Sequence, residues 1–174
     1  MIRQGGVIAY PTEAVYGLGC SPDNFNAVRR ILDLKKRSVS KGLILVGSDV
    51  SQFGKWVDFD RVPDMAPVLA TWPGPVTWVV PAGPGAPIWL TGGGDGIAVR
   101  VSAHPVVQSL CDLCGALVST SANPARLPPA RSALRVRSYF NDNLDYILHA
   151  PVDASRKPSQ IRDAVSGNIL RGAE

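Results

Sequence analysis

Short apolar runs bounded by glycine or proline alternate in this chain with stretches whose apolar residues recur every three or four positions. Runs of the first kind predict buried strands; those of the second predict helices with one apolar face. Residues 6–10 (Gly-Val-Ile-Ala-Tyr) run apolar into Pro11 and predict a strand entering a turn. Asp23 or Asn24 can cap a helix whose apolar side carries Phe25, Val28, Ile31, Leu32 and Leu34. Residues 42–47 (Gly-Leu-Ile-Leu-Val-Gly) read as a second buried strand, followed by a short helix through Gln52, Phe53 and Trp56 capped by Ser48 or Asp49. Another short helix is expected between Asp64 and Trp72, then a rigid turn into a strand at 76–80. The Pro- and Gly-rich residues 81–96 predict loop, 97–101 a strand, and 104–114 a helix that Gly115 ends. A strand at 116–119, a helix near 132–140, a strand near 144–148 and a closing hairpin around Ser166-Gly167 complete the reading. Strands and helices alternate without a strict strand–helix–strand rhythm, which predicts an α/β fold on a mixed sheet.

The length of 174 residues suits one domain spanning residues 1–174. The 15 prolines and 17 glycines are spread along the chain and act as punctuation between short elements, not as a disordered tail. A formal net charge of +4 fits a protein that handles anions such as nucleotides, bicarbonate or RNA, but is too small to establish nucleic-acid binding. Three cysteines, an odd number, argue against a disulfide framework. No apolar run reaches the roughly 18 residues that span a membrane, and no basic-then-apolar leader is visible. The expectation is a soluble protein in the reducing cytoplasm.

Three polar clusters carry the candidate chemistry: Tyr-Pro-Thr-Glu-Ala-Val-Tyr-Gly-Leu-Gly at 10–19, Lys35-Lys36-Arg37, and Ser119-Thr120-Ser121-Ala122-Asn123. Lys35 and Arg37 point apart on a helix but together in an extended segment, so a shared role requires the helix to end near Leu34 and the chain to straighten. Two cations on one side can clamp a polyphosphate; the alternative is a solvated basic helix end. Ser119, Ser121 and Asn123 share one side of an extended segment and can bind phosphate oxygens or the polar end of a substrate; the alternative is an exposed strand end turning at Asn123-Pro124. Arg100 shares a strand side with Ala98 and Ser102 and suits a carboxylate or phosphate in a partly closed cavity, or else faces water from an edge strand. Glu13 reads better as a hydrogen-bonded structural carboxylate than as a general base, since neither a second carboxylate nor a histidine partners it in sequence. Cys111-x-x-Cys114 falls late in a helix, where redox activation is not expected, and reads as buried apolar cysteine; no protein metal site is expected. The glycines at 92–94 and 96 lack the Gly-Lys-Ser/Thr ending of a phosphate loop and are expected to shape a turn or a lid.

At these residues the chain resembles the YrdC-like family, and within it the short TsaC-type threonylcarbamoyl-AMP synthases. The resemblance continues through Leu-Lys-Lys-Arg at 34–37, Lys-Gly-Leu-Ile-Leu at 41–45, Trp-Pro-Gly-Pro-Val-Thr at 72–77, Ala-Val-Arg-Val at 98–101, Pro-Ser-Gln-Ile-Arg-Asp at 158–163 and Ile-Leu-Arg-Gly at 169–172. It implies a twisted, mostly open mixed α/β sheet with flanking helices around a positively charged cavity. The implied reaction makes threonylcarbamoyl-adenylate and pyrophosphate from L-threonine, bicarbonate and ATP, with Mg²⁺ on the ATP. The adenylate passes to threonylcarbamoyl-transfer proteins for N6-threonylcarbamoyladenosine (t6A) modification of tRNA. By resemblance, Thr12, Arg100, Ser119 and Ser159 touch threonine; Lys35, Arg37, Ser121, Asn123 and Arg171 touch ATP; Lys35 and Arg37 are the catalytic pair. Two departures stand out. Family members usually carry about one more helix before the first strand, and a proline where this chain has Ser38, which predicts a looser loop after Arg37. The second domain of longer relatives is not expected here.

One rival reading is a non-catalytic module that binds tRNA or double-stranded RNA through Arg126, Arg131, Arg135, Arg137, Arg156 and Lys157. A second is a carbamoyl-transfer domain like those of hydrogenase-maturation proteins of the same fold.

Overall fold

The computed structural model describes residues 1–152 and 159–172. Their strands are β1 (Ile8–Pro11), β2 (Tyr16–Cys20), β3 (Ile44–Gly47), β4 (Val76–Pro81), β5 (Gly96–Val101), β6 (Leu117–Ser121), β7 (Tyr146–Ile147), β8 (Gln160–Asp163) and β9 (Ile169–Arg171). The helices are α1 (Phe25–Lys35), α2 (Ala66–Leu69), α3 (Ile88–Thr91), α4 (Pro105–Cys114) and α5 (Ala133–Phe140). All nine strands join one sheet in the order β7-β1-β2-β6-β3-β5-β4-β8-β9. The pairs β1·β7, β3·β5 and β4·β8 are parallel; β1·β2, β2·β6, β3·β6, β4·β5 and β8·β9 are antiparallel. The mixed α/β sheet expected from the sequence is therefore observed.

Strand alternation gives the sheet two unlike sides. One side packs Leu18, Leu45, Val118, Val99, Val80 and Trp78 against α1, α5 and the connecting turns in the larger core. Asn24 caps α1 by accepting from the Ala27 amide at 3.0 Å, and Ala27, Val28, Ile31 and Leu32 bury its inner stripe. On the other side α4 covers only one end, where Val107 and Cys111 meet Ile8, Tyr10, Val46 and Leu117. The rest of that side is left without a covering helix, and there the sheet opens onto a cavity.

Three local expectations differ from the structure. The chain does not straighten after Leu34: α1 runs through Lys35, and Lys36 turns left-handed at φ 49°, sending Arg37 off in a new direction. The expected helix after Asp49 is one 3₁₀ turn, Val50–Phe53, closed by Gly54. Residues 81–96 are not all loop, because Ile88–Thr91 form α3, a single turn that buries Leu90. Proline and glycine around it masked a segment too short to show a helical period. The Gly42–Gly92 contact seats it: Leu43 N–H donates to the Leu90 carbonyl at 3.1 Å, and both glycines have positive φ. A Cβ on Gly92 would stand 2.5 Å from the Gly42 nitrogen. Gly92→Ala is expected to cost about 2–3 kcal/mol, lowering the melting temperature by about 5–10 °C, read by circular dichroism. The Ser38 hydroxyl accepts from the Ser40 amide at 3.2 Å and caps the turn Val39–Lys41.

Candidate active site

Cross-strand partners share a side of the sheet, so register alone assembles the cavity floor. Gly17 of β2 lies opposite Ser121 of β6, and Ser119 opposite Ile44 of β3. Val46 of β3 lies opposite Arg100 of β5, Ala98 opposite Val79 of β4, Thr77 opposite Ile161 of β8, and Ile161 opposite Arg171 of β9. These residues line a cavity of about 730 Å³, walled by the Thr12–Tyr16 turn on one flank and by Arg37, Lys41–Leu43 and the α3 turn on another. Of the charged groups lining it among the described residues, Arg37, Lys41, Arg100 and Arg171 are basic, and Glu13 and Asp95 acidic.

Arg100 does not face water from an edge, since β5 lies between β3 and β4. Its guanidinium is almost wholly buried, with Nη2 3.1 Å from Glu13 Oε2. The Ser102 hydroxyl donates to Glu13 Oε1 at 2.7 Å. Burial pushes the Glu13 carboxyl up, but Arg100, Ser102 and His104 outweigh it and hold the carboxyl below its ordinary range. Glu13 is thus an ionised structural carboxylate that orients Arg100. Its partners lie nearly ninety positions away, which is why no local pattern shows them.

Lys35 lies beneath the cavity wall rather than on it. Its ammonium donates to the Ser121 carbonyl and to the Asn123 carbonyl at 2.9 Å, with Asn123 Oδ1 at 3.3 Å and Ser121 Oγ at 3.5 Å. Asn123 does not continue the strand. Its amide N–H folds back to the Ser121 carbonyl at 3.0 Å, and its side chain donates to Leu127 O at 2.7 Å and accepts from Ser121 Oγ at 2.6 Å. Of the row Ser119, Ser121 and Asn123, the two serines reach the cavity and Asn123 anchors the turn behind them. Arg37 does line the cavity. Its Nη2 donates to the Gly42 carbonyl at 3.0 Å, while its Nε–H is buried without a hydrogen-bond partner among the described residues. Burial, and then the neighbouring Arg171 guanidinium, lower its pKa, so the two arginines face a common space. Arg171 donates to the Ser159 carbonyl at 3.1 Å, and Ser159 Oγ accepts from buried Thr77 at 3.2 Å.

The cavity therefore collects Thr12, Arg37, Arg100, Ser119, Ser121, Ser159 and Arg171, with Lys35 and Asn123 one layer behind. Lys41, Thr77, Thr91 and Asp95 also line it and were given no role from sequence. Lys41 and Thr77 fall inside stretches that carry the family resemblance; Thr91 and Asp95 are brought in by the α3 turn and by the turn before β5. Cys20 and Cys111 are free, and burial pushes both thiols up to about 12, which keeps them out of nucleophilic chemistry. No helix is long and apolar enough to cross a membrane among the described residues.

A hollow lined by four basic side chains and several hydroxyls, open on one side of a mixed sheet, marks an α/β protein with a single large polar cavity among the described residues. The chain belongs to the Sua5/YciO/YrdC family, whose model, described as telomere recombination, matches residues 1–173. It is 52% identical over 177 residues to a threonylcarbamoyl-AMP synthase of Pseudomonas aeruginosa, covering 99% of this chain and 94% of that protein. The Sua5 of P. abyssi, solved in complex with L-threonine, superposes with a TM-score of 0.85 at 34% identity over 93% of this chain. The chain spans 48% of that Sua5. HypF of T. kodakarensis, 18% identical with a TM-score of 0.77, shares the fold alone.

Proposed function

We propose that this protein is a threonylcarbamoyl-AMP synthase that makes threonylcarbamoyl-adenylate and pyrophosphate from L-threonine, bicarbonate and ATP. One observation carries this reading: a single cavity brings Arg37, Arg100 and Arg171 together with the hydroxyls of Thr12, Ser119, Ser121 and Ser159. The amino-acid carboxylate, the carbamate and the triphosphate all bring negative charge to one place, and the basic lining offsets their repulsion. A cavity of about 730 Å³ falls within the roughly 300–1,000 Å³ usual for small-molecule sites.

In this reading the threonine ammonium first gives one proton to solvent. The neutral amine then attacks the bicarbonate carbon, hydroxide leaves that carbon and takes a second amine proton to depart as water, and a carbamate remains. A carbamate oxygen then attacks the α-phosphorus of ATP. The bond from that phosphorus to the bridging oxygen breaks, and pyrophosphate departs. Catalysis is mainly positioning and charge stabilisation. Thr12, Arg100, Ser119 and Ser159 hold threonine. Arg37, Arg171 and Ser121 face the phosphates, and Lys35 with Asn123 braces Ser121 from behind. Mg²⁺ would enter with ATP as the substrate MgATP. Such ions take one or two carboxylates besides phosphate oxygens and water, and Asp95 on the cavity wall suits that need. The adenylate is then consumed in the cytoplasm by proteins that transfer threonylcarbamoyl to tRNA for t6A.

Pyrophosphate release with ATP and bicarbonate is expected to depend on L-threonine; release that ignores threonine, or none with all three substrates, would overturn the assignment. Carbamoyl phosphate is not expected to replace bicarbonate plus threonine. Steeply salt-dependent RNA binding without pyrophosphate release would instead support the RNA-binding reading. That reading is not favoured: Arg126, Arg135 and Arg137 are exposed and line no part of the cavity, Arg131 donates to the Ala14 carbonyl at 3.4 Å on the cavity wall, and Arg156 and Lys157 lie outside the described residues. A pH profile offers a further check. Burial, and then Arg37, pull the Lys35 ammonium down to about 8. It is charged at neutral pH and loses its proton as pH rises through that value. Pyrophosphate release is expected to fall along an alkaline limb near pH 8 that is absent in Lys35→Arg, whose guanidinium stays charged.

A further inference from the structure

Hydroxyls in the cavity wall are not free rotors, because neighbours decide which way their protons point. The Thr12 hydroxyl donates to the Val15 carbonyl at 2.7 Å, so toward a ligand it offers lone pairs. Ser119 is in the opposite condition. Its Oγ lies 2.9 Å from the hydroxyl of Tyr10, a fully buried residue that does not line the cavity. Ser119 is the hydrogen-bond partner of that phenol among the described residues. A buried O–H must donate to something, and burial pushes the Tyr10 phenol well above its ordinary pKa, so it stays protonated. The Tyr10 proton therefore occupies a Ser119 lone pair, and the Ser119 proton is left to point into the cavity.

Small residues keep open the lane this contact needs. Tyr10 lies opposite Gly17 across the β1·β2 ladder. A Cβ on Gly19 would come within 2.6 Å of Tyr10 Cε1, and one on Gly17 within 3.5 Å of Tyr10 Cζ and 3.4 Å of Ser119 Oγ. With those positions bare, the ring on β1 crosses β2 to reach Ser119 on β6. This gives the tyrosine and the two glycines of residues 10–19 a joint purpose that needs no substrate contact.

We propose that Tyr10 is a positioning residue that makes Ser119 a one-way hydrogen-bond donor to a carboxylate oxygen of the amino-acid substrate. Thr12 supplies the matching acceptor for an N–H or O–H of the same molecule. The proposal deepens the functional reading above and rests on it. Tyr10→Phe keeps the ring and its packing and removes the proton that sets Ser119. It is expected to raise the KM for L-threonine about fivefold, leaving the KM for ATP and the circular-dichroism spectrum unchanged. In a Ser119→Ala background the same substitution is expected to change the threonine KM by less than about twofold, because the group it acts through is gone. A wild-type threonine KM in Tyr10→Phe, or effects that multiply in the double variant, would overturn the positioning role. Calorimetric titration with L-threonine separates this failure from that of the underlying function. Wild-type protein that binds no threonine removes both readings, whereas wild type and Tyr10→Phe binding threonine equally removes only the role of Tyr10.

Discussion

Arg100→Ala is expected to lower threonine-dependent pyrophosphate release by about 10²–10³-fold and the free energy of unfolding by about 3–5 kcal/mol. The two losses have separate causes. Activity is expected to fall because the central strand loses the cation that meets the substrate carboxylate in the proposed reaction. Stability falls because Glu13, itself buried, is left without its counter-ion at 3.1 Å. The double variant Arg100→Ala/Glu13→Gln is therefore expected to recover most of the stability in urea unfolding and none of the activity. Equal destabilisation in the single and double variants would show that Glu13 is not the stranded group. Acid behaviour follows from the same pair. The Glu13 carboxyl is held below its ordinary value of 4.5, so the stabilisation is fully present above that pH. It is lost as pH falls through the lower folded value. Wild-type protein is expected to lose stability below about pH 4.5 more steeply than Glu13→Gln, read as melting temperature against pH.

Lys35→Ala and Arg37→Ala, two residues apart, are expected to fail in different ways. Each should cut pyrophosphate release about 10²-fold, Arg37→Ala by removing a cation that faces the phosphates in the proposed reaction and Lys35→Ala by removing the ammonium that braces Ser121 from behind. Only Lys35→Ala should also destabilise the protein, by about 2–3 kcal/mol. Its ammonium serves the carbonyls of Ser121 and Asn123, and those oxygens lose their donor when it goes. Arg37 is half-buried and spends one nitrogen on the carbonyls of Lys41 and Gly42 at the cavity wall, where water can serve those oxygens in its place. Urea unfolding that moves equally for both variants would contradict this division into an anchor and a cavity-facing cation.

The strand side on which Arg100 points was legible because alternation is a local rule: Ile97, Val99 and Val101 are buried in the core opposite the cavity, as the pattern says. Whether that strand was central or at an edge was not legible, because neighbours in a sheet are chosen by long-range pairing. The helix ending at Lys35 was readable from its cap and its apolar stripe; the left-handed turn at Lys36 was not, since a lysine carries no signal for positive φ. The α3 turn was hidden by its glycines and prolines, and the Gly42–Gly92 contact that seats it joins two segments fifty positions apart. Thr77 and Asp95 belong to the cavity only because β4 and the turn before β5 lie beside it.

Composition, hydrophobic period and the three polar clusters were enough to predict an α/β protein with a mixed sheet and to single out several of the polar groups that the folded chain gathers around one cavity. Those properties reside in short stretches, where side-chain alternation, caps and turn residues act within a few positions. Which of the polar groups touch the hollow and which brace it from behind was decided by the folded chain alone. Lys35 under Ser121, Glu13 on Arg100 and Tyr10 on Ser119 are pairings across about ninety to one hundred and ten residues. They exist only where strand order and register bring distant segments within hydrogen-bonding distance, and no local pattern encodes that distance.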